Sequence, residues 1–167
     1  MKKIVILFIS LIIITGCSKN INTPTSKVEE FLSRYQNLDP TIIENLKSSV
    51  DKEKMSKKQK KKYESIMEHQ YQNLSYKIND EDIVDQTSTA KVEIEVLNYS
   101  YSIMNSKKYY ESHKDEIENY NDYKLKQLEQ VKDKIKYDIT FNLTQYDGVW
   151  ELDEIDNYDL QKIHGLY

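Results

Sequence analysis

Asp147-Gly148 is a two-residue turn set between two alternating runs, and it constrains the fold more tightly than any other stretch of the sequence. Before it, Tyr137, Ile139, Phe141 and Leu143 alternate with Asp138, Thr140, Asn142 and Thr144. After it come Val149, Trp150, Glu151 and Leu152. An Asp-Gly pair tolerates the positive φ of a type I′ turn, whose twist matches that of the strands it joins. Placing Tyr146 opposite Val149 sets Gln145 opposite Trp150 and Leu143 opposite Leu152. One face is then largely apolar on both strands. A slip of one residue would turn that face to water, so turn chemistry and pattern agree on one register.

Two further strands precede this hairpin. Leu74, Tyr76 and Ile78 alternate with Ser75, Lys77 and Asn79, and the acidic triplet Asp80-Glu81-Asp82 with the polar run 85–88 reads as the turn that follows. In the next strand Ala90, Val92, Ile94 and Val96 point one way, and Lys91, Glu93 and Glu95 the other. Such alternation marks an antiparallel sheet with one wet face. Leu97, Tyr99 and Tyr101 would fall on the wet face, which predicts a bulge or a curled sheet near Asn98.

Helices come before and between the strands. Thr23-Pro24 and Asp39-Pro40 each read as an N-cap followed by the first helical residue. Val28, Phe31, Leu32 and Tyr35 form one helical stripe, and Ile42, Ile43, Leu46 and Val50 a second. Ser56 caps a third helix striped by Tyr63, Ile66, Met67 and Tyr71. Residues 106–134 read as helical, with stripes Tyr110, His113, Ile117, Tyr120 and Leu125, Leu128, Val131, and a bend at 119–122, lying as a long crossover or projecting as a hairpin. Leu160, Ile163 and Leu166 close the chain in a short apolar turn.

The N-terminus has a different character. Lys2 and Lys3 precede the apolar segment Ile4 to Ile14, whose one polar member is Ser10. Eleven helical residues span only about 16 Å, too short for a hydrocarbon core of about 30 Å. The three-part layout is that of an export signal. Ile14-Thr15-Gly16-Cys17 resembles the lipobox of bacterial lipoproteins. The resemblance implies cleavage after Gly16 and a diacylglyceryl group on the Cys17 thiol, leaving residues 18–22 as a short tether. Two acyl chains hold a protein stably at a membrane where one holds marginally. The expected location is the extracytoplasmic face of the cell membrane.

Removing residues 1–16 takes Lys2 and Lys3 from 24 basic residues, leaving 22 against 28 acidic ones and a formal charge of −6. The 151 residues that remain suit one domain, 24–167. Cys17 is the only cysteine, so the domain can hold neither a disulfide nor a cysteine-zinc site. The acidic balance argues against a nucleic-acid partner. The chain has 14 Tyr against 3 Phe and 1 Trp. Tyrosine buries a ring and keeps a polar tip wet, so it suits shallow cores and interfaces.

Three N-terminal helices followed by strands, with a terminal Val149-Trp150-Glu151-Leu152, resemble the nuclear-transport-factor-2-like, or cystatin-like, α+β cone found among Firmicute lipoproteins. The first helix, with Pro24, Val28-Glu29, Phe31 and Leu32, and the Trp150-x-Leu152-Asp153 strand carry the likeness. It implies an α+β domain with the helices packed on a curved antiparallel sheet. The helical stretch 106–134 departs from that plan as an insertion.

No catalytic pattern stands out. His69, His113 and His164 do not form a zinc-protease pair. His113 lies on an apolar stripe and reads as partly buried and structural; His69 and His164 read as surface residues. Glu93 and Glu95 read as solvated, and Asp80-Glu81-Asp82 lacks the ligand spacing of a calcium loop. No metal site, cofactor or catalytic residue is implied. Lys54, Lys57, Lys58, Lys61 and Lys62 are expected on one broad side of the third helix, either solvated or touching an anionic lipid or wall surface. Tyr99, Tyr101, Tyr109 and Tyr110 pack a shallow core or line a groove.

These readings predict a membrane-anchored, non-enzymatic binding or docking module with a protein partner at the cell envelope. The alternatives are a small-ligand carrier or pocket enzyme of the same fold, and an immunity or assembly lipoprotein. The cone interior discriminates among them: a sizeable pocket there with a desolvated Asp, Glu or His would favour the enzyme, and an apolar, filled interior would favour docking.

Overall fold

The computed structural model describes residues 22–167, so the signal segment 1–16, Cys17 and most of the tether lie outside the described residues. The fold is α+β. The helices are α1 (Pro24–Gln36), α2 (Pro40–Asp51), α3 (Lys57–Gln72), α4 (Tyr99–Ser112), α5 (Tyr120–Glu129) and α6 (Asn157–Ile163). The strands β1 (Ser75–Val84), β2 (Thr87–Leu97), β3 (Lys134–Tyr146) and β4 (Val149–Leu152) form one open antiparallel sheet in the order β1-β2-β3-β4.

Local signals set the helix starts. Thr23 and Ser26 form a reciprocal capping box at α1, Ser56 and Gln59 form one at α3, and Asp39 caps α2 through the Thr41 N–H. Each cap satisfies N–H groups that have no partner inside the helix. Pro24 and Pro40 sit where a missing N–H costs nothing.

The hairpin has the predicted register, with Tyr146 opposite Val149, Gln145 opposite Trp150 and Leu143 opposite Leu152. Asp147 and Gly148 both take positive φ, 49° and 80°. The sheet buries the face that carries Ala90, Val92, Ile94, Phe141 and Leu143. Helix α1 lies across that face with Val28 and Leu32 fully enclosed. Phe31 meets Phe141 edge-on at 5.9 Å. Helix α2 packs on α3, so of the three N-terminal helices α1 is the one laid on the sheet.

Four expectations are corrected. First, β1 continues through the acidic triplet to Val84, and the turn falls at Asp85-Gln86, where Asp85 takes φ 53°. An edge strand tolerates such charge: Asp80 pairs across to Lys91 at 3.2 Å, on the wet face. Second, the bulge lies at Asn79, where the register shifts between Ile78 and Asp80, and not near Asn98. Strand β2 instead stops at Leu97, and the Asn98 side chain caps α4 by accepting from the Tyr101 N–H. Third, the stretch 106–134 takes the hairpin placement and not the crossover, with different bounds. Helix begins earlier, at Tyr99, breaks over 113–119 and resumes as α5, so α4 and α5 form a hairpin against α3. Fourth, Asn22 belongs to the fold and not to the tether. Its amide donates to the Gly148 carbonyl (2.6 Å) and accepts from the Trp150 N–H (2.9 Å), which pins the start of the domain to the β3–β4 turn.

One buried amide joins the helices to the sheet. Gln70 donates to the Leu97 carbonyl (3.2 Å) and accepts from the Leu97 N–H (3.0 Å), completing the hydrogen bonds of the last residue of β2. Gly165 packs against this joint at φ 68°, and its carbonyl accepts from the Ser100 N–H at 2.8 Å. A Cβ there would overlap both Gln70 Nε2 and the Leu97 carbonyl oxygen.

Candidate functional site

The apolar stripes of α2 and α3 do not close on each other completely. A cleft of about 410 Å³ remains between them, with the C-terminal segment as its third wall. Helix α2 supplies Ile42, Leu46 and Val50, and α3 supplies Tyr63, Met67 and Tyr71. The C-terminal wall is Leu160, His164 and Leu166, and Tyr35 stands at the end of α1. The volume is that of a small-molecule site, and the lining is mostly apolar with a few polar tips, the usual composition of such sites.

The rings are arranged by edge contacts. Tyr35 and Tyr71 meet at 5.1 Å and 84°, and the His164 ring tilts against both, at 5.9 and 5.4 Å. Burial pushes the hydroxyls of Tyr35, Tyr63 and Tyr71 to higher pKa, most strongly for Tyr71. Burial also lowers the His164 pKa from 6.5 to about 4, because the imidazolium loses water and gains no counter-charge. At neutral pH the ring is uncharged. No hydrogen-bond partner meets its side chain among the described residues, so the neutral ring keeps one donor and one acceptor nitrogen without a protein partner. Glu53 and Ser49 stand at the α2 edge of the cleft. Lys124 of α5 lies 5.7 Å from the centre of the Tyr63 ring, its own pKa lowered by burial and partly restored by Glu53.

His164 therefore contradicts its reading as a surface residue. Its position after Leu160 and Ile163 on a short apolar turn was the available signal, since α6 places it beside Ile163, which is fully buried. His113 is half-buried, as expected, but it ends α4 as its C-cap. It stacks on Tyr109 at 3.9 Å and 7°. His69 is exposed. Glu93 and Glu95 lie on the wet face beside Lys136 and Lys134, at 2.7 and 3.7 Å.

The lysine cluster divides. Lys54 precedes α3 in the α2–α3 connection and is not on the helix as expected, because the Ser56 cap starts the helix at Lys57. Lys62 is paired with Glu129 of α5 at 2.7 Å. Lys57, Lys58 and Lys61 are exposed, with no ion pair among the described residues. At about 100° per residue, Lys57, Lys58, Lys61 and Lys62 cover an arc of about 140°, opposite the buried Ile66, Met67 and Gln70. Helix α3 docks at the Leu97 end of β2, whereas Asn22 sits at the other end, beside Gly148.

The four tyrosines also separate. Tyr99 is buried, and its hydroxyl donates to the Ile66 carbonyl at 3.1 Å, with its pKa raised by burial to about 12. Tyr110 packs on Tyr120 at 5.1 Å. Tyr101 and Tyr109 do line a groove, of about 480 Å³, between α4 and α5.

Compared with protein-family models, with curated proteins and with solved structures, the chain matches none.

Proposed function

We propose that this chain is an extracytoplasmic lipoprotein, anchored through Cys17, whose domain is a non-enzymatic module that binds a small, mainly apolar molecule in the α2–α3 cleft. The observation that carries this reading is the cleft itself, a tyrosine-lined space with a neutral, partnerless imidazole on its wall. The layer between α1 and the sheet is packed side chain on side chain, so the cavity lies beside that layer and not within a cone. The filled layer by itself fits a docking module; the separate cleft beside it is what favours a small-ligand carrier. It favours binding over acid–base chemistry too, because His164 has aromatic neighbours and no carboxylate to orient or charge it. An open α+β sheet crossed by α1 supports a nuclear-transport-factor-2-like relationship in outline.

The ligand is neutral or weakly polar. The cleft wall carries no lysine or arginine, and Glu53 at its edge repels anions. The fluorescent apolar probe N-phenyl-1-naphthylamine should bind the full chain saturably. Ser49→Trp, which fills the mouth from the exposed side of α2, should weaken that binding by roughly tenfold or more at unchanged melting temperature. Equal binding by both proteins removes the cleft from the account. The anchor is tested separately. The wild-type chain should stay with membranes in high salt, and Cys17→Ala should be released from them after export. Retention of Cys17→Ala at the membrane would contradict the lipid anchor.

A further inference from the structure

The groove between α4 and α5 has a chemistry unlike that of the cleft. Helix α4 gives it Tyr101, Asn105 and Tyr109 at four-residue steps, and α5 gives it Tyr123 and Gln127, with Gln130 at its C-cap. Between these rows the floor is made of serine. Ser106 is buried, and its hydroxyl donates to the Ser102 carbonyl at 2.7 Å, so it is satisfied within the helix and leaves depth above it. Tyr109 and Tyr123 stack at 5.6 Å and form one aromatic wall. Tyr101, eight residues and about 12 Å of helix from Tyr109, forms the other and is more than half exposed.

Apart from Asn98, which caps α4, and Ser106, six polar side chains of the groove are unspent. The side chains of Asn105, Gln127 and Gln130 and the hydroxyls of Tyr101, Tyr109 and Tyr123 make no hydrogen bond among the described residues. Each amide offers a donor pair and an acceptor on one planar group. Charge is nearly absent: the groove contains Lys132 and Asp133, of opposite sign, at one end. A phosphate-bearing ligand would find no net positive field there. An extended peptide would find no free strand edge, because both walls are helices whose backbone groups are bonded internally. A ligand dense in hydroxyl and acetamido groups, with flat C–H faces to lay on the electron-rich faces of tyrosine rings, matches both features.

We propose that the α4–α5 groove is a binding site for a neutral oligosaccharide, with Tyr101 and the Tyr109–Tyr123 pair as stacking walls and Asn105, Gln127 and Gln130 as hydrogen-bonding groups. The site is separate from the α2–α3 cleft, and each can fail without the other.

The test is calorimetric titration of the full chain with two neutral tetrasaccharides, the β-1,4-linked tetramers of N-acetylglucosamine and of glucose. Saturable binding of either is expected. Tyr101→Ala and Gln127→Ala should each weaken it by roughly tenfold. Tyr158→Ala, which removes another largely exposed tyrosine, from α6, should leave it unchanged. Tyr101→Phe keeps the ring and should retain most of the affinity, which separates stacking from any loss of folding. No binding of either tetramer at millimolar concentration would overturn the proposal. So would affinity undiminished in Tyr101→Ala and Gln127→Ala, or reduced as much in Tyr158→Ala.

Discussion

The cleft between α2 and α3 and the groove between α4 and α5 are both walled by tyrosine, and they use it differently. In the cleft, Tyr35 and Tyr71 are buried, meet edge to face, and sit against an uncharged histidine. In the groove, Tyr101 and Tyr109 keep about half their surface in water and stand beside unpaired amides. The first wall is part of the core and is exposed to a ligand only along one side. The second adds little to the core and is available to bind. A tyrosine-rich sequence therefore yields both stability and surface chemistry, and the neighbours decide which.

Truncation gives the sharpest contrast. Tyr71→Ala should destabilise the domain by about 4 kcal/mol in urea unfolding, since it empties a large buried site. A loss below about 1 kcal/mol would mean that the cleft wall is not core. Gly165→Ala should cost about 3 kcal/mol by the same measurement, from a positive φ and from overlap with the joint at Gln70 and Leu97. If its melting temperature matches wild type, the C-terminal wall of the cleft is not held as described.

The third effect depends on pH. The folded His164 pKa of about 4 lies below its ordinary value of 6.5. Between those values the unfolded chain binds the proton and the folded one does not. Stability is therefore complete above pH 6.5 and falls as pH drops toward 4, by up to about 3 kcal/mol. His164→Phe should flatten that part of the stability curve relative to wild type. The smallest effect belongs to the groove, where Tyr101→Ala should change stability by no more than about 0.5 kcal/mol. A larger loss would make the groove wall structural and erase the contrast.

The residues differ in how far the sequence specified them. The β3–β4 register was legible because Asp147-Gly148 and the alternation about it are local and agree. The caps at Thr23, Asp39 and Ser56 were legible for the same reason. The start of α4 was not. Leu97, Tyr99 and Tyr101 continue an alternation of two, and their aromatic character suits a strand. The Asn98 cap and the burial of Tyr99 against Ile66 override it. The strand through Asp80-Glu81-Asp82 was hidden because acidic residues suggest a turn, while the bulge at Asn79 and the partner Lys91 make them acceptable at an edge. His164 was hidden most deeply. Leu160 and Ile163 mark an apolar turn beside it, but the walls that cover the ring come from α2 and α3, more than ninety residues away in the chain, and the local spacing does not record them.

The most direct test of the cleft is the titration of the His164 ring, followed by NMR in the full chain with and without N-phenyl-1-naphthylamine. The structure predicts a pKa near 4 in the free protein, and a still lower one with probe bound, since an apolar occupant further excludes water from the imidazolium. A pKa near 6.5, unmoved by the probe, would place His164 in solvent and contradict the site.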